Sequence, residues 1–187
     1  MTEPYPWPYD GQLEPARLAM LVIAGPPVPG NPPELAALAE LAEIVCATGG
    51  LVLEVLTSDP RPTRPAAVPQ GVPGIVEAVA GVVPAASVTA AGWDGFHGSP
   101  LDTVLRRLGR DHLLLTGWWL ETGVHSTLRS ANDMGYECLT VTDCCVPLDP
   151  VTATGAISSI QMSGGIFGAT GVSADVHSLL PVLEHTR

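Results

Sequence analysis

Short, continuous apolar runs alternate in this chain with segments of helical periodicity, and no other feature constrains the fold as much. The runs are LAMLVIAG from Leu18, LVLEVLTSD from Leu51 and HLLLTG from His112. Runs without alternating polar residues are typical of strands that are buried on both faces of a parallel sheet. They are too short to cross a membrane, which takes about 20 apolar residues. The pattern therefore predicts an α/β fold.

The segments around these runs predict the remaining elements. Helices are expected over 32–50, 74–83, 99–110, 121–135, 149–162 and 173–185, and further strands over 85–90, 137–143 and 165–170. Ser99 is expected to cap its helix, with Pro100 in the first turn. The segment 60–73 is rich in proline and predicts a loop. Together these elements predict one domain over 1–187, with a lead segment over 1–17, folded as a three-layer sandwich around a mostly parallel sheet.

The charge balance excludes two classes of partner. The chain carries 19 acidic residues against 8 basic ones, for a net charge of -11, and every basic residue is arginine. Binding to nucleic acid requires clustered cations that contact phosphates, and anionic membrane surfaces attract the same clusters. We therefore expect neither nucleic acid nor membrane as a partner. The N-terminus has no basic stretch followed by an apolar one, which predicts a cytoplasmic protein.

The four cysteines are Cys46, Cys138, Cys144 and Cys145. Their spacing matches neither a zinc finger nor the disulfide framework of a small secreted domain. Free, mostly buried thiols in a reducing compartment are expected instead. Cys144 and Cys145 are adjacent on a predicted strand end, so their side chains point apart and cannot share a tetrahedral ion. We predict no metal and no cofactor.

Two stretches resemble a known family. LLLTGWWLETGVHSTLRSANDMGYECLTVTDCC from Leu113, followed by MSGGIFGA from Met162, is similar to the isochorismatase-like cysteine hydrolases. The N-terminal YPWPYDG resembles the ureidoacrylate and biuret amidohydrolase subgroup. The resemblance implies a Rossmann-like sandwich and catalysis by an Asp, a Lys and a Cys. In such a site the carboxylate takes the thiol proton, the ammonium holds the thiolate, and the thiolate attacks an acyl carbon.

None of the three catalytic residues is present at the position that the resemblance assigns to it. The family's Asp follows a Val-Ile pair, where this chain has Ala24, and its Lys lies six residues before a phenylalanine, where counting back from Phe96 gives Ala90. The nucleophile of G-x-x-T-x-x-C corresponds to Gly123, and Leu120 replaces the threonine. We therefore expect a catalytically inactive homologue that serves as a structural or regulatory subunit. Its partner would be a further copy of itself or an active paralogue.

A rebuilt active site is the alternative, and it would hydrolyse a small amide, urea or enol ether. It would need a base or acid from the polar residues near the predicted strand ends, which are Asp59, Asp94, His97, Glu121 and His125. The ordinary interpretation is that Asp94 and His97 are polar loop residues. His125 would then be a packing or solvent-facing residue on the first turn of its helix.

Trp118 and Trp119 are the most unusual local feature. Each indole can bury about 150 to 250 Å². We favour the interpretation that they plug the vacated pocket or form a contact surface, because the volume beside the small residues has to be filled. The other interpretation places one indole in the core and the other on the surface, and a small ligand stacked on either indole is a further possibility. The predicted remnant of the pocket comprises Asp94, Trp118, Trp119, Leu120 and His125.

Overall fold

A single parallel sheet forms the centre of the molecule. The structure is a computed structural model that describes residues 7–11, 13–59 and 71–180. Its strands are β1 Leu18–Ala24, β2 Leu51–Leu56, β3 Ala86–Thr89, β4 His112–Trp118, β5 Glu137–Val146 and β6 Ala169–Gly171. They are ordered β3-β2-β1-β4-β5-β6, and every neighbouring pair is parallel. Most of the predicted proline loop and the end of the last predicted helix lie outside the described residues.

Helices cover both faces of this sheet. They are α1 Pro33–Ala47, α2 Ile75–Ala80, α3 Leu101–Arg107, α4 His125–Asp133, α5 Pro150–Met162 and α6 Ser173–Leu179. A short 3-10 turn, Pro15–Arg17, precedes β1, and a π-helical turn, Leu120–Val124, leads directly into α4. One buried cluster joins the sheet to α1, α2 and α6, and a second joins it to α3, α4 and α5. The predicted three-layer α/β sandwich is confirmed.

The order of the strands reverses at β1. β2 and β3 lie on one side of it and β4, β5 and β6 on the other. All seven residues of β1 are buried, as its continuous apolar run predicts. In open sheets of this kind, ligands bind beyond the carboxyl ends of the strands where the order reverses. The fold therefore points to the ends of β1 and β4.

The last two strands differ from the prediction. β6 begins at Ala169 rather than Gly165, because the preceding glycines form a turn that ends at Gly168 with φ 76°. β5 continues to Val146, three residues beyond the predicted end. Its pairing with β4 shifts register between Leu115 and Gly117. Gly117 has φ 118°, and a Cβ there would overlap the backbone of β1, so only glycine fits this irregularity.

The start of α3 also differs. Pro100, not Ser99, occupies the N-cap position, and the helix begins at Leu101. Ser99 still contributes, because its hydroxyl accepts a hydrogen bond from the Leu101 N–H at 3.2 Å. The predicted capping residue is therefore wrong by one position, although its hydroxyl satisfies one of the amides at this helix end.

Glu54 is a buried acidic residue within β2, and the apolar pattern of that strand gave no reason to expect a role for it. Only 1% of its surface is exposed. Its carboxylate accepts hydrogen bonds from the N–H groups of Val76 at 3.2 Å and Gly74 at 3.4 Å, and from the Ser87 hydroxyl. These bonds fix the start of α2, where the helix dipole favours a negative charge.

The described part of the lead segment is anchored to the start of β4. The Trp7 ring is buried and meets the His112 ring edge-on, with 5.2 Å between the ring centroids. Arg17 donates two hydrogen bonds to Asp111, at 2.7 and 2.6 Å. Among the described residues, none of the helices has the length and apolar character needed to span a bilayer.

Candidate functional site

The three positions to which the resemblance assigns catalytic residues lie at the carboxyl ends of the parallel strands. Ala24 is the last residue of β1, Ala90 directly follows β3, and Gly123 lies in the π-helical turn after β4. Ala24 is fully buried, Ala90 is 2% exposed, and Gly123 is buried. We call the space around these residues the candidate pocket. It lies beyond the carboxyl ends of the strands, where the fold places ligands.

The residues after β2 connect Ala24 to Ala90. The Thr57 N–H donates to the Ala24 carbonyl at 2.9 Å, and the Ala90 N–H donates to the Leu56 carbonyl at 2.8 Å. The Ser58 hydroxyl donates to the Ala90 carbonyl at 3.3 Å. The polar groups next to the two alanines are therefore engaged in holding the strand ends together.

Gly123 faces the same segment. A Cβ added to Gly123 would lie 3.2 Å from Cγ2 of Ile23, 3.6 Å from the Thr57 hydroxyl and 3.6 Å from the Trp93 carbonyl. These three groups come from β1, from the end of β2 and from the loop after β3. The turn is thus in close contact with its neighbours, and a side chain there would meet Ile23 first.

Thr127 fixes this turn to the loop after β3. Its hydroxyl donates to the Gly123 carbonyl at 2.7 Å and accepts a hydrogen bond from the Gly95 N–H at 2.8 Å. A Cβ on Gly95 would come within 2.7 Å of Val55 Cγ1, so the loop approaches the sheet closely. The loop and the turn are therefore held together over the candidate pocket.

Thr57 has a buried hydroxyl that does not take part in these contacts. The residue is 1% exposed, and its Oγ1 has no hydrogen-bond partner among the described residues. A Cβ on Gly25 would lie 3.4 Å from this oxygen. A buried hydroxyl without a partner costs about 1–3 kcal/mol. Oγ1 of Thr57 therefore marks the interior of the candidate pocket.

Sequence comparison identifies the family. The family model of the isochorismatase domain matches residues 32–171. The chain belongs to the isochorismatase family. A stretch of 57 residues is 42% identical to YwoC of Bacillus subtilis, described as an uncharacterized isochorismatase family protein. That match spans 30% of this chain and 30% of the relative.

Solved structures share this architecture over most of the chain. An isochorismatase family protein from Burkholderia thailandensis superposes with a TM-score of 0.74 and 28% identity, over 90% of this chain and 97% of that one. A cysteine hydrolase from Pseudomonas syringae gives a TM-score of 0.69 at 18% identity, over 89% and 93% of the two chains. An N-carbamoylsarcosine amidase from Thermoplasma acidophilum gives 0.64 at 18% identity, over 84% and 96%. The last two likenesses concern the fold alone.

Two carboxylates that could replace an isochorismatase-family acid or base are engaged elsewhere. Asp94 accepts hydrogen bonds from the Phe96 N–H at 2.9 Å and from the Ser130 hydroxyl at 2.6 Å. Glu121 accepts from the N–H groups of Leu148 at 2.9 Å and Asp149 at 2.8 Å. Asp94 therefore orders its own loop and ties it to α4. Glu121 holds the segment that leads into α5.

The two histidines in this region differ in their surroundings. His97 is exposed, and only its backbone takes part in the hydrogen bonds that close its loop. His125 is half-buried on the first turn of α4, and its Nε2 has no partner among the described residues. Burial lowers the pKa of His125, and the positive charge of Arg129 lowers it further. The lowered pKa favours the neutral form of His125, and no described carboxylate is hydrogen-bonded to its Nε2.

The two tryptophans occupy different environments. Trp118 is 2% exposed in the core, and its Nε1 donates to the Gly25 carbonyl at 3.2 Å. Trp119 is only partly buried, and a Cβ on Gly25 would lie 3.2 Å from its Cδ1. Trp118 is therefore a core residue. Trp119 lies beside the end of β1, and part of its side chain is exposed to solvent. Leu120, which replaces the family threonine, is buried in the cluster on the other face of the sheet.

All four cysteines are free thiols, as expected, and all but Cys46 are buried. Burial raises the pKa of Cys138, Cys144 and Cys145, so none of these is an activated nucleophile. Cys144 and Cys145 belong to clusters on opposite faces of the sheet. Within the described part of the chain, no group of three or more His, Cys, Asp or Glu side chains could hold a metal ion.

A cleft beside Trp119 was not anticipated from the sequence. It has a volume of about 440 Å³ and lies between the loop after β1, the first turn of α1 and the turn from β5 to α5. Its walls include Val28, Pro32, Glu34, Trp119 and Leu148. From the sequence, the prolines predicted loops and nothing more. They line one cleft only because three separate segments pack together.

Proposed function

We propose that this chain is a non-catalytic member of the isochorismatase family that works as a structural or regulatory subunit. Its partners would be further copies of itself or a paralogue that retains the catalytic residues. The observation that carries the proposal is the combination of Ala24, Ala90 and Gly123 at the three positions that the family resemblance assigns to acid, ammonium and thiol. None of these side chains can attack a carbonyl, transfer a proton or stabilise an oxyanion.

The surroundings of the pocket support this proposal. Asp94 accepts two hydrogen bonds and Glu121 accepts three from neighbouring segments, so both carboxylates have structural roles. Nε2 of His125 has no hydrogen-bond partner among the described residues. A general base has to lie within hydrogen-bond reach of the proton it removes and needs a pKa suited to the working pH. The residues at the three assigned positions, Ala24, Ala90 and Gly123, cannot serve as such a base.

The outer face of α5 supports the subunit role. Val151, Gly155, Ser158 and Met162 are all exposed, and their spacing places them along one face of the helix. Val151 is 79% exposed and Met162 is 84% exposed. A Cβ added to Gly155 would have no heavy atom within 4 Å, so nothing within the chain requires glycine there. Glycine within a helix nevertheless costs about 0.5–1 kcal/mol relative to alanine. A face with two exposed apolar side chains and a glycine between them suits close packing against another helix.

Charge favours the same face. The sequence contains no acidic, basic or histidine residue from Pro150 to Val172, in a chain whose net charge is -11. Two copies of such an acidic protein repel each other over most of their surface. The uncharged face of α5 is where a second copy, or a similarly folded paralogue, can approach without that repulsion. Exposed apolar side chains there would be covered on assembly.

Sedimentation velocity of the purified chain tests the assembly. The wild type is expected to sediment as an oligomer, and Met162→Glu is expected to shift it to the monomer by placing a charge in the contact. Val83→Glu is the matched control, because Val83 is also a highly exposed valine, at 74%, but lies between α2 and β3. If the wild type is monomeric alone and after co-expression with a paralogue that keeps the catalytic residues, the subunit role is wrong.

Two assays test the absence of catalysis. One measures ammonia release from a panel of small amides and ureas, and the other measures loss of the double bond in small enol ethers. Rates with the purified chain are expected to match those of buffer alone. Turnover that is abolished by His125→Ala or Asp94→Ala would show a rebuilt site and would overturn the proposal. Thermal unfolding of both variants separates loss of the site from loss of the fold.

A further inference from the structure

The cleft beside Trp119 has the composition of a binding site. Its volume of about 440 Å³ falls within the range of small-molecule sites, about 300–1,000 Å³. Proline and aliphatic side chains form most of the lining, which includes Pro29, Pro32, Val146 and Leu148. Among the described residues that line the cleft, Glu34 is the only charged one. An apolar cleft with one charged group is selective for ligands that carry the opposite charge.

Trp119 is held rigidly at the wall of this cleft. It is the only described non-glycine residue with positive φ, at 61°, a conformation that costs about 1–3 kcal/mol. Neighbouring groups enforce it: the Trp119 N–H donates to the Val146 carbonyl at 3.0 Å, and its own carbonyl accepts from the Thr122 N–H at 3.0 Å. The close contact between the indole and Gly25 fixes one edge of the ring. An aromatic ring fixed in this way loses little entropy when a ligand binds against it.

Glu34 provides the negative charge. It lies in the first turn of α1, is half-buried, and receives no hydrogen bond from a described side chain or backbone amide. The amides at the nearby start of α5 are already satisfied, since Val151 donates to Asp149 and Leu148 donates to Glu121. An anion beside α5 would therefore find no free donor from the start of that helix, and the Glu34 carboxylate would repel it. A cation would find a carboxylate and an indole.

We propose that this cleft binds a small organic cation, such as a quaternary or alkylated ammonium compound. Its positive centre would lie against the Trp119 ring and near the Glu34 carboxylate, and its alkyl groups would contact the prolines. Cations are attracted to the face of tryptophan more strongly than to other aromatic rings. The net charge of -11 adds a general attraction for cations. The site needs none of the candidate catalytic positions, so it does not depend on whether the chain is an enzyme or a subunit.

Two-dimensional proton–nitrogen NMR of the tryptophan indoles tests the proposal. The chain has four tryptophans, and Trp119→Phe assigns the Trp119 signal by its disappearance. Choline is the probe, and neohexyl alcohol, in which carbon replaces the nitrogen, is its neutral counterpart. Choline is expected to shift the Trp119 signal with saturation in the millimolar range. The neutral alcohol is expected to bind about tenfold more weakly, as the loss of a cation–π contact and an ionic contact implies.

Charge variants on α1 complete the test. Glu34→Gln is expected to weaken choline binding by about five- to tenfold, the effect of one partly buried charge. Glu43→Gln removes an exposed charge from the same helix and is expected to leave the affinity unchanged. Equal binding of choline and the alcohol, an unchanged affinity in Glu34→Gln, or shifts confined to other tryptophans would each overturn the proposal. The NMR spectra themselves show whether each variant is folded.

Discussion

Replacing Thr57 by valine should stabilise the protein, and this change probes the interior of the candidate pocket directly. Valine has nearly the shape of threonine but lacks the hydroxyl. Oγ1 of Thr57 is buried without a hydrogen-bond partner among the described residues. Removing a buried polar atom that bonds to nothing recovers its desolvation cost.

The expected magnitude follows from that cost. An unsatisfied buried hydroxyl costs about 1–3 kcal/mol, and Thr57 is only 1% exposed, so we expect the lower part of that range, about 1 kcal/mol, after local relaxation. For a chain of 187 residues this corresponds to a rise of about 2–4 °C in Tm.

Urea unfolding and differential scanning calorimetry measure the effect, with two control variants. Thr140→Val removes another buried, unpartnered hydroxyl, far from the pocket, and should also stabilise. Thr116→Val removes a hydroxyl that donates to the Leu21 carbonyl at 3.0 Å and should destabilise by about 1 kcal/mol. If Thr140→Val stabilises but Thr57→Val destabilises, the Thr57 hydroxyl is in use. The pocket would then hold a bound water or ligand, contrary to our reasoning.

Three further predictions concern Gly123, where the resemblance places a thiol, the buried Glu54, and the dependence of stability on pH. Gly123→Cys in a Cys46→Ser background should be alkylated by iodoacetamide with a thiol pKa of about 8.5 or above, since no ammonium or carboxylate activates it; a rate plateau below about pH 7 would contradict this. Glu54→Gln should lower the free energy of unfolding by about 1–3 kcal/mol in urea titrations, whereas the exposed Glu77→Gln should not; equal effects would show that the bonds to α2 are unimportant. Because burial lowers the pKa of His125 below its ordinary value of about 6.5, the unfolded chain takes up the proton first, and stability should fall as the pH drops below about 6.5. His125→Gln should reduce this loss of stability at low pH. An unchanged pH dependence would show that His125 does not cause it.

Much of the fold could be predicted from local patterns. The apolar runs at β1, β2 and β4 were identified because strands buried on both faces have no polar alternation. The start of β6 was missed because Ile166 and Phe167 look like strand residues, although they belong to a turn set by glycines. The end of β5 was missed because it depends on a register shift against β4.

Only part of the candidate site could be predicted from the sequence. Motif spacing located Ala24, Ala90 and Gly123, and the structure brings all three to the carboxyl ends of the parallel strands. The sequence could not show that Asp94 and Glu121 are engaged by Ser130 and by the start of α5. Those partners lie tens of residues away along the chain, so no local pattern encodes their contact.

What the sequence determined by itself was the alternation of strands and helices, the charge balance and the residues at the positions to which the family resemblance assigns catalysis. These are local or compositional properties, and they are fixed before the chain folds. The tertiary structure alone decided that Trp118 is buried while Trp119 forms the wall of a cleft with Glu34 and the prolines. Adjacent residues differ in this way because each environment is assembled from segments that meet only when the sheet and its helices pack together.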